Sequence, residues 1–285
     1  MEARLQLRVQ RYGWDRAAEH YERGWREPLF PAQDLLFKMG HLEPGFRVLD
    51  IACGTGLVAL RAARFVAPHG RVIGVDISDQ MVERANELAA SSGLPNVSFY
   101  RMEAEQLDCV DDYFDVAYDS LGLMYVPDPG RAVEEMHRVI RPGGRAVTAV
   151  WGARNHCGWA EIFPIVDSRV KTEVCPLFFQ LGTGNSLAEL YRAVGFREVM
   201  SRRIQTTLHY RSASEALNAV FAGGPVALAY ARFDEQTREA AHAEYLQSIE
   251  PYRKGTEYHI PGEFVVVGGE KEVKEVKEVK RVKRG

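Results

Sequence analysis

Between residues 46 and 150, short runs of β-branched and aromatic residues alternate with longer amphipathic stretches. The short runs are flanked by turn residues and predict strands at 46–51, 71–76, 97–101, 114–118 and 145–150. The longer stretches have helical spacing and predict helices at 57–66, 78–91 and 130–140. This alternation predicts an α/β fold with a doubly wound, mostly parallel sheet.

The pattern is looser on either side of this central part. Later helices are predicted at 157–170, 186–194 and 212–250, and later strands at 198–210 and 262–268. We expect these strands to add an antiparallel edge strand, which gives about seven strands in all. Residues 1–45 are predicted to form an N-terminal helical cap. The main domain would span residues 46–269, with substrate-cap insertions at about 151–190 and 212–250.

The segment 270–285 reads EKEVKEVKEVKRVKRG, with a valine at every third position. This period gives no continuous apolar face in a helix or a strand. The sequence therefore predicts a disordered, low-complexity tail, and deletion of residues 271–285 is expected to leave folding and ligand binding intact.

The composition favours a globular protein, since 46% of the 285 residues are hydrophobic. Without the tail, the chain contains 29 basic and 35 acidic side chains. This net negative charge disfavours a nucleic-acid partner. No apolar run approaches the roughly 18 residues of a membrane span, and the charged N-terminus does not resemble a signal peptide. The four cysteines lack metal-site spacing. We therefore expect a cytoplasmic protein with reduced thiols, no metal and no membrane span; the oligomeric state stays open.

A glycine-rich segment, VLDIACGTGLVA at residues 48–59, joins the first predicted strand to the first helix. Asp76 ends the second strand 20 residues after Gly56, where it could accept hydrogen bonds from a ribose. This pattern suits either a dinucleotide or S-adenosylmethionine. Asp50, at the end of the first strand, would repel a pyrophosphate but suits a ligand with an ammonium and a sulfonium. S-Adenosylmethionine is therefore favoured, and an NAD-dependent oxidoreductase is the alternative.

Several ordered blocks between residues 46 and 150 resemble the class I S-adenosylmethionine-dependent methyltransferases. These blocks are VLDIACGTG, VIGVDIS, FYRMEAEQL, FDVAYDSLGLMYVPD and RVIRPGGRAVTAV. The resemblance implies a Rossmann-like fold and this cofactor, with S-adenosylhomocysteine as product. Within the superfamily, SLGLMYVPD is most similar to the ubiquinone and menaquinone C-methyltransferases. Those enzymes carry Arg-Asn in place of Met124-Tyr125, which leaves the acceptor open.

The resemblance also implies which residues bind the cofactor. The glycines would approach its methionine part, Asp76 its ribose, and Ile77 with Met81 its adenine, while Tyr21 would close over it. The full expected set is Tyr21, Asp50, Ala52, Gly54, Thr55, Gly56, Asp76, Ile77, Met81, Glu103, Ala104, Ser120 and Leu121. No catalytic residue is assigned: His156 is a candidate general base, and a surface histidine is the alternative.

The predicted function is methyl transfer to a small, largely apolar or aromatic acceptor, on oxygen, nitrogen or carbon. A non-catalytic S-adenosylmethionine-binding regulatory protein is the alternative of another class. Residues 12–30 and 151–180 are rich in aromatic side chains and are expected to enclose the acceptor. Tyr21→Ala or Trp159→Ala is then expected to lower turnover far more than stability.

Overall fold

The computed structural model describes residues 3–170 and 177–273. Its strands are β1 (Arg47–Ile51), β2 (Arg71–Asp76), β3 (Val97–Arg101), β4 (Phe114–Ser120), β5 (Ile140–Trp151), β6 (Arg197–Tyr210), β7 (Arg253–Lys254) and β8 (Glu257–Glu270). Its α-helices are α1 (Ala3–Gly40), α2 (Leu57–Val66), α3 (Asp79–Ser91), α4 (Pro129–Val139), α5 (Ile162–Asp167), α6 (Ser186–Val194), α7 (Ala213–Leu217), α8 (Ala227–Tyr230) and α9 (Glu235–Ile249).

The strands form one sheet in the order β3-β2-β1-β4-β5-β8-β6, and the two-residue β7 pairs with β8. Strands β1 to β5 are parallel, whereas β8 runs antiparallel to both β5 and β6. The predicted mostly parallel, doubly wound sheet is thus confirmed. The antiparallel strand β8 lies one place in from the edge, because β6 covers its outer side.

Helices pack on both faces of the sheet, and its central strands are buried. Strand β1 shows why: four of its five residues are buried, as expected for a central parallel strand. Helix α3 begins directly after β2, where the Ser78 hydroxyl accepts the backbone N–H of Met81. The carboxyl end of β2 is thereby fixed to the start of a helix, and this is the end at which doubly wound sheets bind ligands.

The N-terminal segment is one long helix, α1, which packs across the later helices. The indole N–H of Trp25 donates to the backbone oxygens of Ala219 and Gly223, at 3.1 and 3.0 Å. Gly24 permits this approach, since a Cβ there would lie 2.8 Å from the Cβ of Ala219. Helix α1 is therefore held in a fixed position relative to the sheet.

Two of the predicted helical stretches are shorter or interrupted. Residues 157–170 contain only α5, and 212–250 is divided into α7, a π-helical turn, α8 and α9. Of the helices in residues 3–170 and 177–273, none is both long and apolar enough to cross a membrane.

The predicted boundary of the tail is wrong by two residues. Glu270 belongs to β8, and the backbone N–H of Lys271 donates to Gly144 O at 3.0 Å. The Lys271 ammonium donates to an Asp112 carboxylate oxygen at 2.6 Å and to His137 O at 2.8 Å. The tail therefore begins no earlier than residue 272, and residues 274–285 lie outside the described part of the chain.

We expect a chain that ends at residue 270 to be less stable than one that ends at 273, by about 1–3 kcal/mol. The shorter chain loses the partners of Lys271, whose hydrogen bonds to a charged group are each worth about 1.5–3 kcal/mol at most. Thermal unfolding of the two truncated chains measures the difference, with the full chain as reference. Equal melting temperatures would contradict the role given to Lys271.

Candidate functional site

A cleft lies at the carboxyl ends of β1, β2 and β4, where two tight turns meet. The turn after β1 has three residues with positive φ: Ala52 at 52°, Gly54 at 53° and Gly56 at 87°. The turn after β4 contains Leu121 at 67°. A Cβ on Gly122 would lie 2.2 Å from the Cβ of Ala52, so the two turns touch. Because the two turns lie so close together, the space between the turns and α1 stays open for a ligand.

Asp76 connects the glycine turn to the second strand. One carboxylate oxygen accepts the N–H of Gly54 at 2.8 Å, and the other accepts the N–H of Ser78 at 2.9 Å. Burial raises the pKa of Asp76 to about 6, while these hydrogen bonds oppose the rise. Each oxygen keeps a lone pair, so the carboxylate can also accept hydrogen bonds from a ligand in the cleft.

Two further buried acids lie at the ends of neighbouring strands. Asp50 Oδ2 accepts the N–H of Ala59 at 2.9 Å and so caps the first turn of α2. Asp119 Oδ1 accepts the N–H groups of Gly122 and Leu123, each at 3.0 Å. Burial raises the pKa of Asp119 to about 7 and that of Asp50 well above its usual range. Together with Asp76 they make this end of the sheet electronegative when ionised.

The cleft is lined by residues of α1, of the strand ends and of the turns that follow them. Most of the predicted cofactor residues line it: Tyr21, Ala52, Gly54, Asp76, Ile77, Met81, Ala104, Ser120 and Leu121. The others lie outside the lining: Asp50, Thr55, Gly56 and Glu103.

The four residues outside the lining have local roles in the fold. Asp50 caps α2, and Thr55 is fully buried. Gly56 begins α2, where a Cβ would lie 2.9 Å from the ring of Phe99. The Glu103 backbone pairs with Gln106 in a turn. That turn brings Glu105 to the cleft in its place.

The structure adds lining residues that are outside the expected cofactor-binding set. Three come from one face of α1, namely Leu7, Gln10 and Trp14, and others from the ends of strands and the following turns: Val75, Met102, Glu105, Gly122, Tyr125 and Val126. Leu7 and Gln10 had no signal in the sequence, because they precede residues 12–30, the part of α1 that was expected to lie at the site. The spacing of Leu7, Gln10, Trp14 and Tyr21 is nevertheless that of a single helix face.

A second, smaller cavity adjoins the cleft. The two share four lining residues, Trp14, Tyr21, Leu121 and Tyr125, and the second cavity adds Trp25, Leu29, Trp151, Trp159 and Pro225. We call this second cavity the aromatic chamber. Among the described residues, those that line it include no acid, histidine, lysine or arginine. The chamber therefore suits an apolar or aromatic molecule.

The effect of Trp159→Ala on turnover stays a prediction, but the structure shows that this substitution would also remove a packed core side chain. Trp159 is only 1% exposed and packs against Trp151, with ring centroids 4.9 Å apart. Phe163 and Phe178 lie behind it at 5.9 and 5.6 Å. A side chain in such a cluster contributes mainly to stability, because its removal leaves a large cavity.

His156 lies outside the linings of both cavities. Its Nδ1 is 3.1 Å from a carboxylate oxygen of Glu263, which also accepts from Arg203 at 2.7 Å. This ion-pair group fixes the turn after β5 to β8. The structure therefore gives no support for His156 as a general base at the cleft.

The residues of the cleft fit the cofactor that the sequence indicated. The hydroxyl oxygen of Ser120 is buried and has no hydrogen-bond partner within the described chain, although Ser120 lines the cleft. A bound ligand could satisfy it. The acids suit a positively charged ligand, and the walls formed by Ile77, Met81 and Met102 suit a flat base.

Comparison of the sequence with known families gives a match over residues 42–163 to a family described as a methyltransferase domain. A demethylmenaquinone methyltransferase from Geobacillus kaustophilus is 35% identical over 139 residues, which are 47% of this chain and 59% of the relative. The chain spans 53 to 59% of the length of the first curated relatives that it matches.

Comparison of the fold gives solved structures with similar architecture. The [4+2]-cyclase SpnF has a TM-score of 0.59 at 24% identity, with 88% of this chain and 84% of that chain covered. Haemonchus contortus phosphoethanolamine N-methyltransferase 2, bound to phosphomonomethylethanolamine and S-adenosylhomocysteine, has a TM-score of 0.60 at 18% identity, with 91% and 58% covered. At these identities the similarity establishes the fold alone.

Proposed function

We propose that this chain is a class I S-adenosylmethionine-dependent methyltransferase and that it transfers a methyl group to a small, largely apolar or aromatic acceptor. Its cofactor is S-adenosylmethionine. The observation that carries the acceptor class is the aromatic chamber, which adjoins the cleft and has no charged lining residue in the described chain. A phenol, a quinol or a similar ring has the chemistry that such a chamber accepts.

The residues of the cleft would hold the cofactor by complementary charge and shape. Asp76 would accept hydrogen bonds from the ribose hydroxyls, and Ile77 with Met81 would flank the adenine. When bound, S-adenosylmethionine supplies a methyl group on a positively charged sulfur, which is a good leaving group. The chain then has to align the acceptor with that methyl group and exclude water.

The aromatic side chains between the cleft and the chamber would perform the alignment. Tyr21 and Trp14 both line the cleft and the chamber, and their rings meet edge to face at 5.8 Å. Tyr125 meets Trp14 at 5.1 Å from the other side. Aromatic faces also stabilise a nearby cation such as a sulfonium, by about 0.5–2 kcal/mol.

The demethylmenaquinone methyltransferases to which the chain is similar suggest a quinol as the first acceptor to test. The experiment incubates the full chain with S-adenosylmethionine and a panel of quinols, phenols, arylamines and polar amines. Mass spectrometry then identifies any methylated product and the methylated atom. Methylation of an apolar or aromatic compound is the expected result. Preferred methylation of a charged amine would overturn the acceptor class, and cofactor binding with no product across the panel would favour the non-catalytic alternative.

Tyr21→Ala is expected to lower turnover at least about tenfold, because the ring separates the reacting groups from water. Tyr21→Phe is the matched control, since it keeps the ring and should retain most of the activity. Initial rates of S-adenosylhomocysteine formation measure the effect, and thermal unfolding checks that both variants fold. Similar rates for Tyr21→Ala and the wild type would exclude this role for Tyr21.

Binding of S-adenosylmethionine is expected to weaken as the pH falls through about 6. Burial raises the pKa of Asp76 to about 6 in the free protein, and ribose hydroxyls bind its ionised form more tightly. Affinity is then highest above this pKa and falls by up to about tenfold per pH unit below it. Calorimetric titration between pH 8 and pH 5 measures the slope. Asp76→Asn, which cannot titrate, should flatten the profile, and an unchanged slope in that variant would assign the effect to another group.

A further inference from the structure

The cluster formed by His209, Glu257 and His259 lies at one edge of the sheet, on strands β6 and β8. His209 and His259 are directly opposite each other in the β6–β8 ladder. Directly opposed residues project on the same face of a sheet, and residues two apart on a strand do so as well. Glu257 therefore joins the two histidines on one face, although His209 is far from both in the sequence. None of these three residues lines the cleft or the aromatic chamber.

The donor atoms of this cluster converge on one point. His209 Nε2 lies 3.0 Å from a carboxylate oxygen of Glu257, and His259 Nε2 lies 3.4 Å from the same oxygen. One ligand atom from each residue falls within 4.8 Å of the other two. A tetrahedral ion with bonds of about 2.0–2.1 Å needs donors about 3.3 Å apart. The cluster therefore needs only small side-chain rotations to chelate an ion.

The donor set indicates the class of ion. Two imidazole nitrogens and one carboxylate oxygen are the ligands of three-residue zinc sites, in which a fourth position stays open to solvent. Imidazole nitrogens disfavour Mg²⁺ and Ca²⁺, which prefer oxygen. All three side chains are partly exposed, between 31 and 47%, so an ion and its water can reach them.

The charges around the cluster disfavour a hard cation, which is held mainly by negative charge, more than an ion that bonds to imidazole nitrogen. Lys254 lies opposite Glu257 in the β7–β8 ladder and adds a positive charge to that side of the strands. Arg211, two residues after His209, is paired with Glu215. With a single carboxylate, the cluster has too little negative charge to hold a hard cation.

We propose that His209, Glu257 and His259 form a binding site for a divalent transition-metal ion, with Zn²⁺ as the expected ion. The ion ties β6 to β8 through side chains, in addition to the backbone ladder. Because β5 separates β8 and β6 from the strands that end at the cleft, the ion acts on the stability of this edge, and metal binding is independent of the methyl acceptor.

The test titrates Zn²⁺ into the chelator-treated full chain at about pH 7.5, by calorimetry and thermal unfolding. We expect one Zn²⁺ per chain, a melting temperature that rises with Zn²⁺, and no competition from a hundredfold excess of Mg²⁺. His209→Ala and His259→Ala should each weaken binding at least about tenfold and abolish the thermal shift. His69→Ala, which removes an exposed histidine elsewhere, is the matched control and should bind like the wild type.

Two results would overturn the proposal. The first is Zn²⁺ affinity that is the same in the wild type, both cluster variants and the His69→Ala control, which would place any bound ion elsewhere. The second is the absence of Zn²⁺ binding to the folded wild type. Circular dichroism establishes that each variant is folded, and neither result depends on methyltransferase activity.

Discussion

Asp76→Ala should lower the affinity for S-adenosylmethionine at least about 100-fold. The variant loses the carboxylate that would accept the ribose hydroxyls, and hydrogen bonds to a charged group are each worth about 1.5–3 kcal/mol. It also releases the N–H groups of Gly54 and Ser78, which Asp76 holds at 2.8 and 2.9 Å. Calorimetry with S-adenosylmethionine and with S-adenosylhomocysteine measures both losses, and they should be similar because the ribose is common to the two.

Asp108→Ala is the matched control for this variant, since it removes an exposed carboxylate that lies outside the cleft lining. It should leave both affinities unchanged. Wild-type affinity in Asp76→Ala would show that the ribose is held by other groups.

Trp159→Ala should lower the free energy of unfolding by about 3–5 kcal/mol, the usual cost of removing a large buried aromatic side chain. Trp159 is 1% exposed, and five aromatic rings lie with centroids within 6 Å of its own: Trp25, Trp151, Phe163, Phe178 and Phe179. Their contacts cannot be replaced by solvent. Chemical denaturation of the wild type and the variant measures the loss, provided both transitions are two-state.

Trp159→Phe separates packing from polarity at the same position. The indole N–H of Trp159 is buried without a partner in the described residues, so phenylalanine removes an unsatisfied donor and keeps most of the ring. We expect a loss below about 1.5 kcal/mol. If both variants lost the same free energy of unfolding, the volume of the ring would not be the main contribution of Trp159. The cluster would then be sensitive to any change of side-chain shape.

The central fold was predictable because each strand and helix there agrees with its local sequence. Helix α2 has the predicted limits, and β2 and β3 also match. Strand β5 begins earlier than predicted, at Ile140, although Pro142 and Gly143 follow at once. Ile140 pairs with Phe114, and the irregular register between Phe114 and Val116 accommodates the intervening residues. Such tertiary pairing overrides local turn signals and is not visible in a sequence pattern.

The candidate site was predictable where a strand-end motif positions a side chain, and less so elsewhere. Asp76 and Ser120 lie on the cleft as expected, since strand ends in a parallel sheet converge there. Glu105 lines the cleft and Glu103 does not, because a turn after β3 reverses the chain between them. Gln10 lines the cleft because of the way α1 packs on the rest of the protein. That packing depends on contacts with residues about 200 positions later, such as the hydrogen bond from Trp25 to Ala219.

The insertion of β8 between β5 and β6 has a consequence for how the chain reaches its folded state. Strand β6 is synthesised before β8 but joins the sheet only through β8, which pairs with β5 on one side and with β6 on the other. Before that step β5 presents an unpaired backbone edge, which is a template for pairing between molecules. These pairings are also remote in sequence, which slows folding. Refolding at high concentration should therefore favour aggregates that form through β5, and a mutation that weakens β8 should increase their yield even where the folded protein is barely altered.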